Sequence, residues 1–517
     1  MPRRHLHVTG AAEAPLRAAL RALRTELAIP EDFPPAVLAE AEAAAKAPRL
    51  PALDATDLPL FTVDPPTSTD LDQAMHLTRR ADGGYRVHYA IADVAAFVAP
   101  GSALDAEAHR RVLTLYFPDG RIPLHPAVLS EGAASLLPGE PRPALLWRID
   151  LDAEGRRVAT DVRRALVRSR AKLDYAGVQR QIDGGTAEEP LALLREIGRL
   201  REALEAERGG ISLNVPEQEI VEQDPRDHRA PNDPHIPPHS HTPPAPHIPP
   251  GPHDPPHPHD HRGYSLAYRA PLPADGWNAQ ISLLTGMAAA DLMTAAGTGI
   301  LRTLPTAPDG AVARLRRSAQ ALGVDWPHHV SYAEVVRAAD PANPRHAAFL
   351  QECTTLLRGA GYTVFTDGHV PTPAVHAAVA DEYTHCTAPL RRLVDRYAGE
   401  LCVAAVAGDE PPEWVRAALP ALPDEMAAGS RRANAVERES VDVVEAALLR
   451  DRVGEVFDAY VIDVKEREPS VGTVHLDDPA VVARIEGGGT RLPLGEWLRV
   501  RLTEADPGSS KVLFAPA

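Results

Sequence analysis

The stretch FTVDPPTSTDLDQAM (61–75) places Asp64, Asp70 and Asp72 at D-x5-D-x-D spacing directly after a short apolar strand. Carboxylates repel one another, so three within nine residues cost stability unless something cationic sits among them. Hard divalent ions such as magnesium take oxygen ligands, usually a few carboxylates with water or substrate phosphate filling the shell. A pair of such ions activates water and neutralises the leaving oxygen of a phosphodiester. A polar, Asp-rich loop of the kind Pro65, Pro66, Thr67 and Ser68 make between strands explains the same residues equally well. On this segment alone both readings stand, because short acidic patterns recur by chance.

The neighbouring segments favour the metal reading. YRVHYAIADVAAFV (85–98) is apolar and partly alternating, the pattern of a buried strand running into a turn. GSALDAEAHRR (101–111) opens with Ser102 and Asp105 at capping-box spacing and predicts a helix N-terminus. Next come LTLYFPDGRIPLHPAVLSEGAASLLPGEPRPAL and, much later, HAAVADEYTHCTAPLRRLVDRY (376–397). Taken together these pieces resemble the catalytic domain of the ribonuclease II/RNase R (RNB) family. The matching motifs are the aspartate cluster, IADV with S-x-LD-x-EA-x-RR, Tyr116-Phe-Pro, IP-x-x-P, LS-x(4)-SL, and H-x(6)-YTH-x-T-x-PLRR-x-x-D. Their order and spacing follow the family over about residues 56 to 450.

The resemblance implies an α+β fold in which an RNB-type mixed α/β catalytic domain occupies residues 56–450. The flanking segments read independently. In residues 1–55, Leu16, Leu20, Leu23 and Leu27 fall on one helical face, and an Ala-rich second helix is expected over 35–47. Nothing there alternates like the cold-shock-type barrels that commonly precede this domain, so a helical N-terminal segment is expected instead. With no interleaving of basic and aromatic residues, it reads as a packing arm rather than an RNA guide. Two helices are expected after residue 411, around Trp414–Leu419 and from Pro423 to about Arg450, with Glu437 on the apolar stripe of the second. The tail, 453–517, holds five short β-rich runs separated by turn residues, as in a small OB-like β-barrel suited to binding RNA.

Between GISLNVPEQEI and YSLAYRAPL, which read as the strands of one hairpin, lies a segment (225–262) with nine of the chain's 22 histidines and many prolines. Proline fixes φ and removes a donor, so this insert is expected to be extended or disordered. A solvated linker explains it better than a metal store.

Composition sets outer bounds. A chain of 517 residues holds two or three domains. The three cysteines form no CxxC pair, which argues against a zinc site or a disulfide framework. No early apolar run resembles a signal peptide and nothing approaches a membrane span, so a reducing, cytoplasmic setting is the default expectation, with the chain a monomer. The net charge of −17 argues against a basic coat but leaves room for a local basic channel.

By resemblance, the function is a metal-dependent, hydrolytic 3′→5′ exoribonuclease that degrades single-stranded RNA ends to nucleoside 5′-monophosphates. Asp64, Asp70, Asp72 and Gln73 would hold Mg2+, or Mn2+, with Asp72 central to catalysis. Arg391 would contact the scissile phosphate, a task suited to a planar, permanently charged fork. Its bland alternative is an ion pair with Asp395, one helical turn away. Arg392 would be a second phosphate contact or merely solvated. Tyr116 would clamp the last base, and Glu437 would flank the RNA entrance or form a structural ion pair. Tyr383 and His385 read as scaffolding of the Arg391 loop. Two departures stand out: Gln73 occupies the place of a fourth acid, and no acid lies at Leu284 or Thr285, where the family usually has one. They motivate an alternative, a non-catalytic RNA-binding protein on a decayed RNB scaffold.

Overall fold

The computed structural model describes residues 14–223, 263–465 and 467–517. The His/Pro-rich insert expected over 225–262 lies outside the described residues.

The first and larger unit is built on a closed five-stranded barrel. Its strands are β1 (Leu60–Val63), β2 (Gln73–Arg79), β3 (Tyr85–Ala92), β6 (Pro141–Leu151) and β7 (Arg157–Leu173). Neighbours pair antiparallel except β1 with β7, which run parallel and close the barrel. A short hairpin, β4 (Leu115–Phe117) and β5 (Gly120–Ile122), is inserted between β3 and β6. Alternation along β3 explains why this barrel is covered on both faces. Val87, Tyr89 and Ile91 join the interior cluster with Phe61, Leu77 and Trp147, whereas Ala90 and Ala92 face a second cluster containing Val37 and Leu104. Fully burying side chains such as Phe61 and Leu77 is worth about 1.5–3 kcal/mol each.

Helices complete the unit. α1 (Ala14–Glu26) and α2 (Pro35–Lys46) form the N-terminal arm, and α3 (Ala103–Arg111) follows β3. The Ser102 hydroxyl caps α3 by accepting from the Asp105 amide, while the Asp105 carboxylate accepts from the Gly101 amide. Leu16, Leu20 and Leu23 are buried against the long helix Leu422–Leu449, so the arm packs. Leu27 lies just past the end of α1 and is only partly covered. Further on, the helix Pro273–Ala296 packs against the helices Glu189–Arg208 and Leu393–Ala407. β8 (Glu217–Gln223) and β9 (Gly263–Arg269) pair antiparallel, the hairpin expected on either side of the insert.

The tail forms a second closed barrel from Val456–Lys465, Glu468–Leu476, Val481–Glu486, Trp497–Asp506 and Lys511–Pro516. Of its four large aromatics, Phe457, Tyr460 and Phe514 are core, and Trp497 is 50% exposed with its ring against Tyr460. Cys353, Cys386 and Cys402 are free and buried.

Candidate active site

The acidic loop spans the turn from β1 to β2, and much of its backbone is tied down. The Asp64 amide donates to the Leu173 carbonyl at the end of β7, and Lys172 Nζ donates to the carbonyls of Pro66 and Ser68. Ser135, from the LS-x(4)-SL motif, accepts from the Leu71 amide and donates to the Thr69 carbonyl. The Asp72 carbonyl accepts from the Ala92 amide. A loop with so few free backbone groups holds its carboxylates in place.

Arg391 reaches this loop from more than 300 residues away. Its Nε donates to Asp72 Oδ2 at 2.6 Å, and the Leu390 amide donates to Asp72 Oδ1 at 2.7 Å. Asp72 is only 2% exposed. Burial outweighs the adjacent guanidinium and pushes its carboxyl up to about 7. Asp64, half-buried, is raised by burial to about 6; Arg391 and Lys172 oppose the shift and Asp70 adds to it. Arg391 itself stays cationic against the desolvation of its guanidinium, because Asp72, Tyr116 and Asp70 surround it. Asp70 pairs with Arg121, which also bonds Thr69 and lies 3.0 Å from Glu131. Tyr116 pairs with Arg121 across the β4–β5 hairpin, and the Thr114 amide donates to the Arg391 carbonyl. The fold therefore gathers Asp64, Asp70, Asp72, Tyr116 and Arg391 into one polar cluster.

Gln73, the first residue of β2, has its carboxamide engaged on both sides: Oε1 accepts from the buried Tyr89 hydroxyl and Nε2 donates to the Thr387 carbonyl at 2.7 Å. The Thr387 hydroxyl in turn bonds Ser282 at 2.8 Å. Where an acid was expected near Leu284 and Thr285, Leu284 is core and the Thr285 hydroxyl bonds the Ile281 carbonyl. Arg392 corrects the sequence reading. It is not merely solvated: it pairs with Asp395 through two bonds of 2.8 and 2.7 Å. Local spacing had suggested Asp395 for Arg391, but Arg391 is drawn off by the buried Asp72. Glu437 is half-buried on the long helix that packs against β4. Tyr383 and His385, in the segment that leads to Arg391, pack together: the Tyr362 hydroxyl meets His385 Nδ1, and Tyr383 lies edge-on against His385. Gly286 makes room, since a Cβ there would lie 2.2 Å from the Tyr383 ring. Sequence reasoning missed Arg121, Lys172 and Ser282. For Arg121 the missing signal was its place in the three-residue strand opposite Tyr116.

Among the described residues no three acidic, histidine or cysteine side chains converge as a ready metal group: Asp72 is held by Arg391 and the Leu390 amide, and Asp70 by Arg121. Asp64, Asp70 and Asp72 offer oxygen ligands only, and the two with raised pKa values are anions that burial and their neighbour destabilise.

Residues 53–407 match the RNB domain, and residues 455–517 match the RNase II-type exonuclease C-terminal S1 domain. The chain belongs to the RNB family. Ribonuclease R of Aquifex aeolicus is 25% identical over 417 residues, 78% of this chain and 54% of that protein. The chain thus spans about half the length of that curated relative. The structure of Mycoplasma genitalium RNase R in complex with ribose methylated single-stranded RNA is similar at a TM-score of 0.78 and 19% identity, covering 98% of this chain and 79% of the other. Yeast Ssd1, a pseudonuclease, is similar at a TM-score of 0.64 and 15% identity, covering 96% and 57%. The fold is therefore that of RNase R, with a C-terminal S1 barrel, and it also carries inactive members. Among the described residues, no helix is long and apolar enough to cross a membrane.

Proposed function

We propose that this chain is a hydrolytic 3′→5′ exoribonuclease that releases nucleoside 5′-monophosphates from the 3′ ends of single-stranded RNA. The observation that carries the reading is the convergence of Asp72, Arg391 and Tyr116, from three distant segments, on one anchored acidic loop. Asp64, Asp70 and Asp72 would hold Mg2+ or Mn2+, with the Gln73 carbonyl beside them. Such an ion supplies an activated water and neutralises charge on the leaving oxygen.

The chain's own residues do the rest. Arg391, with 38% of its side chain exposed, is free to turn its fork from Asp72 to the scissile phosphate when substrate enters. Tyr116 stacks on the terminal base, and stacking tolerates any sequence. Glu437 lines the approach, and the C-terminal barrel presents Trp497 to the incoming strand. We place the protein in the cytoplasm as a monomer.

A second reading rests on Gln73. With its amide engaged by Tyr89 and Thr387, the position adds no charge to the metal site, and the chain would bind RNA without cutting it. Incubating 5′-labelled RNA with magnesium separates the two: progressive shortening supports the enzyme, and a stable complex of full-length RNA supports the binder.

A further inference from the structure

The hairpin β4–β5 is a plate with two faces, and the strand alternation shows what each one does. Leu115, Phe117 and Ile122 belong to the cluster that contains Leu16, Leu20 and Leu23 of α1 and Val436, Val441 and Val444 of the long helix. Tyr116 and Arg121, directly paired, lie on the opposite face, where Arg121 meets Asp70. Each strand has only three residues, and a two-stranded hairpin is marginal alone. Something must hold it from behind.

The N-terminal arm does so at two points. Arg24, near the end of α1 and only 8% exposed, pairs with Asp119 at the hairpin turn and lies 4.4 Å over the Phe117 ring. At the other end, Arg111 donates to the Asp32 carbonyl at 2.7 Å, stacks 3.7 Å over Phe33, and donates to the Pro123 carbonyl just after β5. The connector between α1 and α2 thereby reaches the exit of the hairpin.

We propose that the N-terminal helical arm sets the grip on the terminal nucleotide, with Arg24 as a positioning residue for Tyr116. The inference rests on the reading of Tyr116 as the base clamp. The arm acts on the hairpin from behind, on the side away from Tyr116 and Arg121, so it governs how firmly the RNA end is held.

The test uses the full chain carrying Asp72→Asn, so that RNA stays intact, and a single-stranded RNA ending in 2-aminopurine, whose fluorescence is quenched by stacking. Tyr116→Ala should abolish the quench. Arg24→Ala and Asp119→Asn should each weaken it substantially, and Arg24→Lys should restore it. Asp119→Asn alters only the turn and serves as the check should Arg24→Ala unfold. In the Asp72-bearing protein, Arg24→Ala should raise KM about fivefold or more, the lower end of one lost base stack, with a smaller effect on kcat. If Tyr116→Ala loses the quench while Asp119→Asn and Arg24→Ala keep it in full, the arm has no such role and the clamp stands. If Tyr116→Ala keeps the quench, the clamp reading falls and the inference with it.

Discussion

Asp72→Asn should make the metal-free protein more stable at alkaline pH while ending nucleotide release. Burial raises the Asp72 carboxyl to about 7 from an ordinary value of 3.8. A raised carboxyl favours the folded state fully below the unfolded value, and that contribution is lost as pH climbs through about 7. Stability therefore falls between about pH 4 and pH 8, by an amount on the order of a few kcal/mol at 1.36 kcal/mol per pKa unit. Asparagine removes this cost but loses the bond from Arg391 Nε, whose side chain is exposed enough to find water instead. We expect a net gain of roughly 1–3 kcal/mol at pH 8, shrinking toward zero or reversing at pH 5. Urea unfolding with EDTA at both pH values reads this directly. Magnesium should then stabilise the native protein more than the variant. If Asp72→Asn is no more stable than the native chain at pH 8 without metal, the stressed-carboxylate explanation of the site is wrong.

Arg391→Ala should lose roughly 10²–10³ in turnover, measured as mononucleotide release under saturating RNA, because no other described cation bonds Asp72. Gln73→Asp is one methylene short of the Thr387 carbonyl and cannot donate to it; titrating magnesium should show a lower half-maximal concentration together with a lower kcat. Deleting 228–261 should leave hydrolysis and melting unchanged, because β8 and β9 already close their hairpin backbone from Gln223 to Gly263; a loss restored by added zinc would instead assign the histidines to metal.

Legibility in the sequence followed contact distance along the chain. The C-terminal barrel could be read strand by strand, because its strands follow one another with short turns. The first barrel could not: β3 and β6 are neighbours in space, yet α3 and the β4–β5 hairpin lie between them in sequence. The acidic loop was visible because its spacing is local, and Arg391 because a family pattern marks it. Which acid Arg391 would meet was not visible. Helical spacing offered Asp395 as the alternative partner, whereas the buried Asp72 takes Arg391 and Asp395 pairs with Arg392. The engagement of Gln73 by Tyr89 and Thr387 likewise depends on a contact across 314 residues, which no local pattern encodes.

The most direct measurement is a time course of 5′-labelled single-stranded RNA with the native chain, in magnesium and in EDTA, with the small products identified. A ladder shortening from the 3′ end, with nucleoside 5′-monophosphates released only when metal is present, is the expected outcome. RNA bound but undiminished at every magnesium and manganese concentration would show that the cluster around Asp72 and Arg391 does not cut.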